Sequence, residues 1–109
     1  MPSTNYPKHN AAATSGGTAN GFIGFSSVAG FRVGAYAYIR GNAGSPGSQF
    51  CRITDVDTSG NRLGLVFVPE DRSNSTKLPW PNYGRSDLTS YTTGSVVFQP
   101  EQSIDDAIV

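Results

Sequence analysis

The stretch QFCRITDVDTSGNRLGLVFV, residues 49–68, has the pattern of two β-strands joined by a short turn. Leu63, Leu65 and Phe67 alternate with smaller or polar residues, which places them on one face of the second strand. Pro69 ends that strand because proline cannot donate a hydrogen bond to a β-ladder. The stretch therefore predicts a β-hairpin at the centre of the fold.

The turn of this hairpin also resembles the start of a calcium-binding loop. Asp55, Asp57 and Ser59 occupy the first, third and fifth positions of such a loop, and Gly60 occupies the sixth. The twelfth position, which needs a bidentate glutamate, is Val66. The flanks alternate like strands and not like helices, and Asp, Ser and Gly are also favoured in tight turns for local backbone reasons. We therefore interpret the segment as a turn and predict no metal site.

A third strand is predicted within FRVGAYAYIR, residues 31–40, where the residues alternate between two faces. One face is small and apolar, and the other carries tyrosine and arginine. The first set is Val33, Ala35, Ala37 and Ile39, and the second is Arg32, Tyr36, Tyr38 and Arg40. The glycine-rich and proline-containing residues 41–48 predict a loop between this strand and the hairpin.

Two further strands are predicted in GFIGFSS, residues 21–27, and TTGSVVFQP, residues 92–100. About five short strands and no sustained helical pattern predict an all-β fold, either a small barrel or a compact two-sheet sandwich. The order of the elements over residues 30–99 resembles that of SH3-like barrels. In that resemblance, the strand of residues 33–41 precedes a long loop, and residues 51–68 form the following hairpin.

The chain divides into three parts by composition. Residues 1–21 contain AAATSGGTANG, which has nothing large to bury, so we predict an extended N-terminal arm. Residues 22–100 form the predicted β-domain, with a long irregular connection over residues 69–92. Residues 101–109 form a C-terminal tail.

The composition argues against several classes of function. Eight basic and eight acidic residues give a formal net charge of zero, which does not favour binding to nucleic acid or to an anionic membrane. Cys51 and His9 are the only cysteine and histidine, which are too few ligands for a zinc site. A histidine-based nucleophilic triad would need His9, in the predicted arm, to be held against a nucleophile, which an arm does poorly. We predict a non-enzymatic protein without a cofactor. No apolar leader and no membrane-length apolar run is present, so we expect a soluble protein made in a reducing compartment.

The tyrosine- and arginine-bearing face of residues 32–40 allows three interpretations. It can cover the second face of the sheet, form a protein interface, or bind single-stranded nucleic acid or carbohydrate. Packing or a protein interface is favoured, since the chain is neutral and holds only two lysines. Trp80, held between two prolines and followed by Tyr83, either caps the barrel or is a rigid anchor for a partner.

A small β-domain, a polar arm, a long aromatic loop and few charges resemble the organisation of structural proteins of tailed-phage particles, of the head decoration or head-completion type. The resemblance implies a virion protein that bridges neighbouring subunits through its arm and loops, with major capsid, portal or tail proteins and further copies of itself as partners. Nucleic acid and membranes are not expected partners. The alternative function is a binding module for nucleic acid or carbohydrate. The predicted interface residues are Tyr6, Phe22, Arg32, Tyr36, Tyr38, Arg40, Trp80 and Tyr83.

Overall fold

The structure is a computed structural model, which describes residues 9–68 and 85–100 of the chain. These residues form six short β-strands, with one 3-10 helix, Asn42–Gly44, between the third and fourth strands. The strands are β1 His9–Ala12, β2 Phe22–Gly24, β3 Tyr36–Arg40, β4 Gln49–Asp57, β5 Arg62–Phe67 and β6 Val96–Gln99.

The six strands form one antiparallel sheet in the order β1-β6-β3-β4-β5-β2. The two edges of the sheet approach each other, since an antiparallel bridge joins Ser15 to Gly24. The backbone N–H of Thr14 also donates to the carbonyl oxygen of Gly24 at 2.9 Å. The sheet is thus curled into a half-barrel, and the predicted all-β, barrel-like fold class is confirmed.

The core lies on the concave side of the curled sheet. In β3, Ala37 and Ile39 are fully buried, whereas Tyr36, Tyr38 and Arg40 are exposed, as the alternation of the sequence predicts. The other strands contribute apolar residues to the same side. The largest fully buried apolar side chains of this core are Ile23, Val28, Ile39, Ile53, Leu63, Leu65, Leu88 and Val97.

The predicted central hairpin is confirmed as β4 and β5. Its register changes between Ile53, which pairs with Leu65, and Asp55, which pairs with Gly64, so Thr54 is the extra residue of a β-bulge. The bulge restores the inward direction at Val56, which packs against the core although its sequence parity differs from that of Ile53. It also brings the side chains of Asp55 and Asp57 to the outer face.

The predicted boundary between arm and domain at residue 22 is wrong, because residues 9–21 belong to the domain. Strand β1 pairs with β6 over its whole length, from His9 opposite Gln99 to Ala12 opposite Val96. Ala13 is 3% exposed and is part of the core. The small residues that suggested an arm instead allow the chain to pass closely between the two edges of the half-barrel. Residues 1–8 and the tail of residues 101–109 lie outside the described residues.

The predicted inward direction of Val33 is also wrong, since its side chain is 52% exposed. The backbone turns before β3 begins because the buried side chain of Gln99 holds it. The N–H of Arg32 donates to Oε1 of Gln99 at 3.0 Å, and Nε2 of Gln99 donates to the carbonyl oxygen of Gly30 at 2.9 Å. The period-two alternation therefore starts only at Ala35.

The described end of the predicted long connection, residues 85–92, packs on the domain without forming a strand. Leu88 and Tyr91 are buried in the core. The N–H of Leu88 donates to the carbonyl oxygen of Thr18 at 3.0 Å. The N–H of Gly17 donates to the carbonyl oxygen of Tyr91 at 2.8 Å. This segment closes one end of the half-barrel together with residues 17–21.

These contacts predict the outcome of truncating the N-terminus. Deletion of residues 2–20 removes β1 and the buried Ala13, and it exposes the backbone of β6 at the sheet edge, so we expect loss of the cooperative urea unfolding transition seen by circular dichroism. Deletion of residues 2–8 is the matched control because it retains every described contact. Equal unfolding midpoints for the two truncated proteins would contradict the placement of β1 within the domain.

Candidate functional site

The most exposed apolar surface of the described residues lies on the outer face of the sheet. Four large apolar side chains are exposed among the described residues, and three of them are on this face: Tyr36 at 44%, Tyr38 at 42% and Val96 at 37%. Phe50 and Phe98 lie beside them and are half-buried. We call these five residues the aromatic face.

The aromatic face follows from the register of three neighbouring strands. Tyr38 of β3 is opposite both Phe50 of β4 and Phe98 of β6, so three aromatic residues lie in one row across the sheet. Arg40 of β3 is opposite Val96 in the same way. The neighbours of these residues along each strand point inward and fill the core. Because side chains alternate along a strand, the residues of the aromatic face point outward.

The rings of the aromatic face pack against one another. Tyr36 stacks on Phe50 with ring centroids 5.3 Å apart and ring planes at 18°. Tyr38 contacts the same ring at 5.0 Å and 37°. The guanidinium carbon of Arg52 lies 5.5 Å from the centroid of the Tyr36 ring. Part of the surface of each of these rings is thus covered by a neighbouring ring. This packing holds the side chains in place before any partner binds.

A concavity of about 380 Å³ opens at one end of the aromatic face, between β3, β6 and the loop that follows β3. Its lining is mostly apolar, with one guanidinium group, from Arg40, and two hydroxyl groups, from Tyr38 and Ser48. The lining residues are Tyr38, Arg40, Ser48, Val96 and Phe98.

A second cluster on the outer face combines an aromatic ring with two ion pairs. The guanidinium carbons of Arg62 and Arg85 lie 4.2 and 4.4 Å from the centroid of the Phe22 ring. Arg62 pairs with Asp57, and Arg85 pairs with Asp55, each at 2.8 Å. We call these five residues the arginine–aspartate cluster. It joins β2, the central hairpin and the chain at residue 85.

The arginine–aspartate cluster depends on the glycine in the middle of β5. A Cβ atom at Gly64 would lie 2.7 Å from Cδ of Arg85 and 2.7 Å from Oδ2 of Asp55. A larger residue at this position would therefore displace the side chains of Arg85 and Asp55. Gly64 therefore leaves the space in which the ion pair of Arg85 crosses the strand.

The acidic turn is held by its own side chains, as the hairpin interpretation predicts. Oδ1 of Asp57 accepts the backbone N–H groups of Ser59 and Gly60 at 3.1 and 3.0 Å, and Oδ2 accepts Nε–H of Arg62 at 2.8 Å. The hydrogen bond from Arg62, followed by that from Gly60, holds the pKa of Asp57 below its usual 3.8. Asp57 thus stabilises a turn of the kind that aspartate favours.

The chemically reactive side chains are either buried or dispersed. Burial raises the pKa of the Cys51 thiol to about 12, so Cys51 is a small buried apolar residue, as its strand position predicts. The His9 ring packs edge-on against Phe31 with centroids 4.4 Å apart. Over residues 9–68 and 85–100, no three His, Cys, Asp or Glu side chains form a group that could hold a metal ion. No helix in these ranges is long and apolar enough to cross a membrane.

The structure separates the five predicted interface residues that it describes. Tyr36 and Tyr38 are on the aromatic face, and Arg40 is beside it. Arg32 is exposed in the turn before β3, and Phe22 belongs to the arginine–aspartate cluster instead. The remaining three predicted residues, Tyr6, Trp80 and Tyr83, lie outside the described residues.

Sequence analysis missed Phe50, Val96 and Phe98 as members of this surface. The alternation of side chains along β4 and β6 could have indicated them. Cys51, Ile53 and Val97 point inward, so their neighbours along the strand point outward. That signal becomes useful only when the pairing of β3 with both strands is known.

The chain was also compared with known proteins. No protein-family model, no curated protein and no solved structure matches it.

The contacts of Asp57 predict how stability changes with pH. The folded-state pKa is lowered, so the ionised side chain stabilises the fold above its unfolded pKa, near 3.8, and this contribution is lost as the pH falls through the lower folded value. Asp57→Asn should lower the urea unfolding midpoint at neutral pH. The difference from the wild type should narrow at acidic pH. A difference that stays constant over the whole pH range would contradict this role of the carboxylate.

Proposed function

We propose that the protein is a non-enzymatic assembly protein that contacts neighbouring subunits through its aromatic face. The observation that carries this proposal is the row of outward-facing rings across three strands, Phe50, Tyr38 and Phe98, with Tyr36 beside it. Tyr36 and Tyr38 are more than two-fifths exposed, and Phe50 and Phe98 are half-buried. Contiguous exposed apolar patches mark interaction surfaces on soluble domains. Tyrosine is also among the residues that contribute most to binding at protein interfaces.

The packing of the rings favours a protein partner over a stacking ligand. A nucleobase or a sugar ring binds to the open face of an aromatic side chain. In the aromatic face, the Phe50 ring is in contact with the rings of both Tyr36 and Tyr38. The prearranged row offers apolar area together with two phenol groups that can form hydrogen bonds at a buried interface.

We propose a virus particle as the setting, with the protein in a decoration or head–tail connecting role. Its partners would be major capsid, portal or tail proteins and further copies of the chain. Support comes from the small barrel-like domain and from the polar composition of the sequence on either side of it. A small domain with an exposed aromatic surface suits a protein that contacts larger subunits.

The second candidate function is a binding module for nucleic acid or carbohydrate on the same face. The position of the Arg52 guanidinium at the Tyr36 ring favours this candidate, since arginine and aromatic side chains together bind single-stranded nucleic acid. The nucleic-acid version of this candidate differs from a protein interface in its response to salt. Binding to nucleic acid weakens steeply as the salt concentration rises, whereas an apolar protein contact does not.

The proposal predicts that removing two rings weakens assembly. The purified chain should self-associate in light-scattering measurements over a concentration series. The double variant Tyr36→Ala with Tyr38→Ala should have a dissociation constant at least about tenfold larger, because each ring contributes apolar area at the centre of the interface.

Val33→Ser is the matched control because Val33 is equally exposed but is not a member of the aromatic face. It should associate like the wild type, and circular dichroism should show that both variants retain the fold. A double variant with the same mass as the wild type at every concentration would refute the proposed interface.

A further inference from the structure

Two walls of the concavity beside the aromatic face, the loop after β3 and the chain that leads into β6, are connected by a hydrogen bond. On one side, the loop after β3 is held closed by the N–H of Gly41, which donates to the carbonyl oxygen of Pro46 at 2.8 Å. The side chain of Asn42 in this loop donates to the carbonyl oxygen of Thr93 at 3.2 Å, just before β6 begins. The concavity is therefore preformed, which reduces the conformational entropy that a partner's binding would cost.

The shape of the concavity limits what can enter it. A volume of about 380 Å³ is at the small end of the range for ligand sites, so it suits one or two side chains of a peptide better than a large cofactor. Tyr38, Val96 and Phe98 supply apolar walls that favour an aliphatic side chain.

The charge at the concavity is uncompensated within the described residues. Arg40 is the only charged residue in the lining. Arg62 and Arg85 each pair with an aspartate, but no carboxylate among residues 9–68 and 85–100 pairs with Arg40. Its guanidinium lies close to Gly44, where a Cβ atom would be 3.2 Å from a terminal nitrogen. A carboxylate is the group that a guanidinium binds best, through two parallel hydrogen bonds.

Other anionic partners fit less well. A nucleic-acid strand needs a series of cations along its phosphates, whereas two of the five arginines in the described residues are already paired with aspartates. A carboxylate next to an aliphatic side chain matches one guanidinium beside an apolar hollow.

We propose that this concavity binds an acidic peptide segment of a neighbouring subunit, with an aliphatic side chain between Tyr38 and Phe98 and an aspartate or glutamate carboxylate on Arg40. This inference rests on the proposed assembly function and specifies the chemistry of the partner. The aromatic face supplies the flat contact, and the concavity supplies the selective contact.

A fluorescein-labelled peptide, Ser-Ile-Asp-Asp-Ala-Ile-Val, tests the proposal in a fluorescence polarisation titration with the full chain. This sequence has the required chemistry and occurs in the chain at residues 103–109, outside the described residues. Arg40→Gln should weaken binding by about tenfold, since it removes a charge-assisted hydrogen bond. A peptide with asparagine in place of both aspartates should bind weakly to the wild type and equally weakly to Arg40→Gln.

Arg62→Gln is the matched control because it makes the same chemical change in the arginine–aspartate cluster, and it should bind the acidic peptide like the wild type. Circular dichroism shows whether each variant is folded. Equal affinity of the wild type for the acidic and the asparagine peptides, or undiminished binding by Arg40→Gln, would overturn the proposal. So would the absence of binding. If self-association still depended on Tyr36 and Tyr38 in that case, the proposed interface would stand and only this site would be wrong.

Discussion

Strand β3 pairs with β4 on one side and with β6 on the other, and its side chains alternate strictly between the two faces of the sheet. Ala37 and Ile39 are fully buried, so Tyr36 and Tyr38, which alternate with them, must point outward. A shift of one residue in either pairing would place the tyrosines in the core and the core residues in water. The burial of two apolar residues thus determines where Tyr36 and Tyr38 are displayed.

The outer face of the sheet is divided by its electrostatics. In the arginine–aspartate cluster, Arg62 and Arg85 are paired with aspartates, and both guanidinium groups lie on the ring of Phe22 in β2. Such partly exposed pairs contribute modestly to stability, and their position at the Phe22 ring makes them a connection between elements more than a binding site. In the aromatic face, the nearby Arg40 has no carboxylate partner among the described residues. Within the outer face of the sheet, the arginine–aspartate cluster is therefore suited to maintaining the fold, and the aromatic face is suited to contacting a partner.

Local sequence signals predicted the parts of the fold that depend on neighbouring residues. The hairpin follows from turn-forming residues between two alternating strands, and the outward direction of Tyr36 and Tyr38 follows from the parity of β3. Strand β1 could not be recognised, because a run of small residues becomes a strand only by pairing with β6, far away in the chain. The bulge at Thr54 and the joining of Phe50 with Phe98 in one row depend on registers that only the folded sheet defines.

Hydroxyl-radical footprinting read by mass spectrometry measures whether the outer rings of β3 form the proposed intersubunit contact. Tyrosine side chains are modified according to their exposure, so the chain should be labelled at low concentration, where it is dissociated, and again in the associated state. The account predicts that Tyr36 and Tyr38, which are 44% and 42% exposed in the single chain, become protected on association. Val33 should stay as reactive as before. Unchanged modification of both tyrosines in an associated sample would contradict the account.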